Sequence, residues 1–394
     1  MVKKIFRFYL IISFFFWLTH SFFFATYAVF LAAKGLNLLQ INLVNLFFMI
    51  GVVLMEVPTG AYADLIGRKK SFVLSCFIFG TGMLIYYFSS SFWWFVVAEL
   101  VSAAGVAFMS GSLEAWLVDS LKHHGFNGNL NDIFKRDIQV NEIGMMMGGL
   151  IGGYIGTVNL ALPWLCGAIG TFLVGFFCLF MMREDYFLKN ENKPGFGTMK
   201  TIISESVQYG IRNKSILYIV IFGAVYTFTI QGPNMQWQIL FGKDFGLSTV
   251  KLGWIYAGIT LCILVGSQLS GWLLKILKKE KHALMASQIV LALGIFAASR
   301  FVILTPVLMG FLMSEIGRGL FSPLKKSYLN KRIPSKTRAT IISFDSMIEK
   351  MAAALGLILS GIIAKNFSIS LAWLILSLIL LVSIPFLLKF KNGE

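Results

Sequence analysis

Charge is scarce in this chain: 13% of its 394 residues are Asp, Glu, Lys or Arg, against 57% that are hydrophobic. Apolar runs of about 20 residues, the length that crosses roughly 30 Å of hydrocarbon, recur from end to end. Acids are scarcer still, 18 against 34 Lys and Arg, which leaves a net charge of +16. A nucleic-acid partner is excluded, because such a protein gathers its bases on one soluble face, whereas these lie in short gaps between apolar runs. Cys76, Cys166, Cys178 and Cys262 all fall inside apolar runs without metal-ligand spacing. His20, His123, His124 and His282 have no Cys or carboxylate at ligand spacing either, so no metal is expected. A Walker-type phosphate loop is also missing, so ATP is not the expected energy source. No cofactor is implied, and a gradient remains as the driving force.

What is present is an all-α integral membrane protein. Twelve transmembrane spans fit, at about 8–31, 40–62, 72–89, 93–118, 138–158, 163–182, 214–240, 250–274, 283–303, 305–327, 339–364 and 368–388. The longest polar gap separates two sets of six, giving an N-terminal bundle over 1–182, a linker over 183–213 and a C-terminal bundle over 214–394. A short surface helix is expected within that linker, at Ser204–Gly210. Lys3, Lys4 and Arg7 precede a first run too long for a signal-peptide core, so it is read as a retained span. With both termini in the cytoplasm, the cytoplasmic segments collect 27 Lys and Arg and the outer ones 5. The positive-inside rule therefore orients the chain in the cell (inner) membrane. Trp93, Trp94, Trp164, Trp237, Trp254 and Trp373 fall near expected outer ends, where interfacial anchors belong.

Between the second and third spans lies Gly60-Ala-Tyr-Ala-Asp64-Leu-Ile-Gly67-Arg68-Lys69-Lys70. Gly60 and Gly67 suit close helix approach and a tight turn, Asp64 suits a helix end, and the bases suit the inner interface. This stretch resembles the signature G-x-x-x-D-R-x-G-R-R/K-R/K of the major facilitator superfamily, departing from it at Leu65. The six-plus-six layout with a basic central loop resembles that family too. The resemblance implies two pseudo-symmetric six-helix bundles, with Asp64, Arg68, Gly60 and Gly67 forming a conformational latch across their interface. Together with Glu56 and Pro58, the hairpin also resembles a variant seen in clostridial-type tetracycline exporters. In the fifth span, Gly144-Met-Met-Met-Gly148-Gly149-Leu-Ile-Gly152-Gly153 is close to the family's antiporter motif, with Gly149 in the proline position. Small residues at every fourth position let helices pack closely. The loop between the eighth and ninth spans repeats the first hairpin poorly, with Lys275 where the acid belongs, so the latch is asymmetric.

Ionisable residues inside spans are expensive and mark function. Glu99 lies in the fourth span, where many exporters of the family carry Arg, and is expected to face the cavity and favour cations. Glu315 and Arg318 share a helix face at i, i+3; Asp345 and Glu349 share another at i, i+4, with Lys350 about as deep. Three acids against two bases leave one carboxyl suited to carrying a proton. Lys325, Lys326, Lys331 and Arg332 are assigned to the cationic inner loop, and Glu56 and Glu142 are reserve proton sites. The seventh span holds Tyr226, Gln231, Asn234 and Trp237, and its Gly232-Pro233 is expected to break the helix, as happens where a helix lines a cavity. His20 and Tyr27 in the first span complete the candidate substrate cavity.

The expected function is that of a secondary active transporter working by alternating access, a monomer that exports small amphipathic organic compounds, drugs included, by proton antiport. Three rivals stay open: a proton-coupled uptake symporter, a lipid flippase, and a polytopic membrane enzyme, for which clustered polar catalytic groups are not found.

Overall fold

In the computed structural model, residues 1–126, 128–184, 214–333 and 338–389 are described. Among them every element is helical. The first part of the chain forms Val2–His20 (α1), Tyr27–Ala33 (α2), Leu38–Ile66 (α3), Arg68–Phe88 (α4), Phe92–Met109 (α5), Ser112–His123 (α6), Leu130–Val158 (α7) and Leu162–Met181 (α8). The second part forms Lys214–Ile239 (α9), Thr249–Leu277 (α10), Glu280–Arg300 (α11), Leu304–Arg332 (α12), Arg338–Asn366 (α13) and Ile369–Ser383 (α14). Each of the twelve expected stretches carries helix. Nine helices among the described residues are long and apolar enough to cross a membrane. The others fall short for visible reasons: α1 carries Lys3, Lys4 and Arg7, α7 is polar at its start and rich in glycine, and α12 holds Glu315 and Arg318. Most of the expected linker, 185–213 with Ser204–Gly210, lies outside the described residues.

Two expected spans are interrupted. The first breaks at Ser21–Thr26, where Phe24 N bonds Ser21 O and Thr26 N bonds Phe23 O, both at 3.0 Å, in tight three-residue turns. The Ser21 hydroxyl donates back to Trp17 O at 2.7 Å, a competing bond of the kind that bends helices. The fourth breaks between α5 and α6 at Gly111, whose φ of +71° is left-handed and suits glycine. The expected break at Gly232-Pro233 does not occur: α9 runs through Pro233 and ends in a π-helical turn, Leu240–Asp244. A membrane helix tolerates an internal proline when neighbouring groups take up the carbonyl it frees.

The chain divides into two compact units. One comprises Met1–Leu36, Val44–Lys193 and Gly242–Ala257; the other comprises Asn37–Leu43, Pro194–Phe241 and Gly258–Glu394. In the first, the core packs Tyr9, Ile12 and Phe16 of α1 against Phe72 and Cys76 of α4, Trp116 and Leu117 of α6, and Cys178 of α8. The glycines of α7 form two rows. A Cβ on Gly144 would lie 2.9 Å from Phe14 O, and one on Gly148 or Gly152 would collide with Leu18 O or Phe22 O. The other row, Gly149 and Gly153, meets Tyr256 and the backbone at Thr249 and Gly253. The small-residue spacing read as an antiporter motif thus serves two close helix contacts, and its first row backs the break in helix 1.

In the second unit, Phe311 stacks on Trp373 at 5.6 Å and on Trp237 at 6.2 Å between ring centroids. Trp237, Trp373 and, in the first unit, Trp164 are fully packed rather than interfacial, because each is claimed by aromatic neighbours. Trp93, Trp94 and Trp254 stay exposed, as anchors should. Many apolar side chains, such as Phe88, Phe180, Val302 and Val382, are exposed, a surface that suits lipid rather than water.

Candidate functional site

The hairpin turns on one residue. Gly67 has φ of +98°, so a side chain there is strained, and α4 begins at Arg68. The Glu184 carboxylate, just past α8, accepts from Arg68 N at 2.6 Å and Lys69 N at 3.0 Å. An anion here satisfies two orphan donors and complements the helix dipole. Burial pushes the Glu184 carboxyl up, while the two backbone donors and the Arg68 charge pull it back. Gly60, expected to permit close approach, faces open space among the described residues, so its lack of a side chain serves no contact here. The Asp64 side chain lies outside the described residues. In the second hairpin, Glu280 opens α11 and pairs with Lys331 and Arg332, each at 2.8 Å, so these two bases belong to an ion cluster at the end of α12.

Glu99 of α5 is 5% exposed. Tyr27, the first residue of α2, and Tyr86 of α4 both donate to its Oε1 at 2.6 Å. Among the described residues it forms no ion pair. Trp164 of α8 stacks on Tyr86 at 3.8 Å with the rings 5° apart, and on Phe23 at 4.0 Å, clamping the site. Bonds to a charged acceptor contribute about 1.5–3 kcal/mol each, against about 2.5–3.5 kcal/mol for an acid at a helix centre. The two bonds therefore offset the cost of holding a carboxylate at this depth. Nearby, His20 stacks on Phe79 at 4.1 Å, and its buried Nδ1 has no partner among the described residues.

In the second unit, Arg318 donates to Asn234 Oδ1 at 2.6 Å and to Glu315 Oε2 at 3.3 Å, and its side chain also bonds Tyr226. Two turns further along α12, Lys325 reaches Asp345 at 2.7 Å and Glu349 at 2.5 Å. Its side chain is 8% exposed, so Lys325 is a buried cation of α12 and not part of an inner loop. Gly223 of α9 makes the room: a Cβ there would stand 2.5 Å from the Lys325 Nζ.

The structure thus brings together Tyr27 with Glu99, and Tyr226 and Asn234 with Glu315 and Arg318. Asp345 and Glu349 share a cation, but it is Lys325 rather than Arg318 or Lys350. Gln231 turns back to Thr227 O of its own helix at 3.2 Å, and Trp237 is stacked away. Glu56 lies exposed on α3, Glu142 half-buried on α7 and Lys350 half-buried on α13.

Sequence reasoning missed Tyr86, Glu184 and the buried Asp137, whose Oδ1 accepts from Ser13 at 2.9 Å. It could have found Lys325, which follows Glu315, Arg318 and Ser322 at helical spacing on one face.

Buried charges held between helices in an all-α membrane fold suit a transporter. The chain matches the Major Facilitator Superfamily model over residues 9–230 and 217–393, and it belongs to that family. It is 26% identical over 374 residues to YxaM of Bacillus subtilis (strain 168), described as an uncharacterized MFS-type transporter, covering 90% of this chain and 88% of that one. Its fold matches the crystal structure of the nucleoside transporter NupG with a TM-score of 0.83 at 16% identity, over 98% of this chain and 100% of that one. A bacterial homologue of the iron transporter ferroportin, in an inward-facing state, gives 0.79 at 12% identity, over 99% of each chain.

Proposed function

We propose that this chain is a proton-coupled secondary transporter that exports small amphipathic organic compounds by alternating access between two six-helix halves, 1–182 and 214–394, joined by 183–213. In this reading the protein is a monomer in the cell membrane with both termini in the cytoplasm. One observation carries it: Asp345 and Glu349 share the single ammonium of Lys325 inside the second half. Two carboxylates on one cation cost less when one is protonated, so proton uptake and release there can be tied to a change of conformation. The antiporter-like glycine rows of α7 support export over uptake.

Growth of a drug-hypersensitive host across a compound panel, with and without the chain, finds the substrate. Inverted vesicles with an imposed pH gradient then fix direction: gradient-driven accumulation of that compound supports export, and accumulation only in right-side-out vesicles overturns it. The second reading, uptake of a hydrogen-bonding solute, is favoured by the Arg318, Asn234 and Tyr226 group, which offers a half-exposed guanidinium beside neutral polar side chains. NupG, a nucleoside transporter, shares the fold.

A further inference from the structure

We propose that Glu99 is a second proton-binding site, in the first half, and that its charge holds the broken first helix in place through Tyr27. This deepens the proton-coupled reading and rests on it. The second-half acids Asp345 and Glu349 share one lysine, so their charge is partly offset by a built-in cation. Among the described residues Glu99 has none: its carboxylate is stabilised by two tyrosine hydroxyls on one oxygen.

The groups that face it are Tyr27 from α2, Tyr86 from α4 and Trp164 from α8, with Asn45 of α3 bonding the Tyr27 hydroxyl. Of these only the tyrosines titrate, far above neutral pH in their free form. The carboxyl is therefore the group whose charge can change under working conditions. A solvated carboxylate would gain nothing from this arrangement, and a permanently neutral one would not need two donors on the same oxygen.

The mechanical link lies in Tyr27. It is the residue at which helix 1 resumes after the Ser21–Thr26 turns, and Phe23, within those turns, lies in the same aromatic stack on Trp164. A proton added to Glu99 removes the charge that draws both hydroxyls to Oε1. The α2 segment then loses its polar anchor, and the break becomes free to rearrange. Removing the proton restores the anchor, so the state of α2 follows the proton.

Trp164 supplies the readout, since its ring lies flat on Tyr86. In a variant keeping Trp164 as its only tryptophan, emission in detergent should change sigmoidally with pH. Glu99→Gln should abolish the change, and Tyr27→Phe should move its midpoint to higher pH, because one donor to the charged form is gone. A titration that persists in Glu99→Gln, or an unchanged midpoint in Tyr27→Phe, overturns the proposal. Where removal of the other tryptophans prevents folding, infrared difference spectra of the full chain read the carbonyl stretch of the protonated acid. Its loss in Glu99→Gln supports the site, and identical spectra overturn it. Failure of the earlier reading shows separately, as substrate transport by the unaltered chain that ignores a pH gradient while Trp164 still titrates.

Discussion

Lys325 is a demanding residue, because two carboxylates depend on its buried ammonium. Removing one partner of a buried ion group leaves uncompensated charge and costs about 3–5 kcal/mol. Lys325→Met is therefore expected to lower the unfolding temperature in detergent sharply, and Asp345→Asn much less, since Lys325 keeps Glu349. Equal, small shifts in both variants would show that the ammonium is not the shared partner. The acids of this cluster were legible in the sequence from their depth in apolar runs, whereas their cation was not. Lys325 lies just inside the expected boundary at 327, yet the run of bases from Lys325 to Arg332 reads together as an inner loop, and the helix continues to Arg332. Tyr86 and Glu184 were illegible for a different reason. Each meets its partner through packing of α4 on α5 or α8, and no local spacing announces such a contact.

Helix 1 and α7 are linked at the scale of elements. The carbonyls of Leu18 and Phe22 press on Gly148 and Gly152, and in both cases an added Cβ would meet backbone, which yields less readily than a side-chain tip. Gly152→Ala should therefore destabilise the protein by about 1–3 kcal/mol, the usual range for overpacking. Gly271→Ala, whose Cβ would meet open space, serves as the control and should raise helix stability slightly. Thermal unfolding of the two variants checks this, and a Gly152→Ala protein as stable as Gly271→Ala would show that α7 does not bear on helix 1 as described. The glycine spacing was visible in the sequence, but the break it supports was not. Gly232-Pro233 looked like the breaker, yet α9 stays helical through it, while the Phe-rich stretch after His20 yields to back-bonding hydroxyls and a close neighbour.

The all-helical membrane fold of the whole molecule was legible, because apolar runs of membrane length recur over long stretches of chain. Conformational control was legible only in part. The hairpin was recognised from Asp64, Gly67 and Arg68, while Glu184, whose carboxylate holds the start of α4, falls in the expected linker, where nothing marks it out. If the hairpin latches one state of the cycle, Asp64→Asn should reduce the transport rate at least tenfold while membrane insertion, followed by protein yield in the membrane fraction, stays unchanged. Wild-type rates in that variant would remove Asp64 from the mechanism.

The claim that most depends on all of this is proton coupling. Purified protein in proteoliposomes carrying an entrapped pH-sensitive dye, given the compound found in the growth panel, measures it directly. The account predicts a proton flux that starts on addition of the compound, runs opposite to it, and disappears when Asp345 and Glu349 are both made amides. Transport of the compound at full rate with no accompanying proton movement would contradict it.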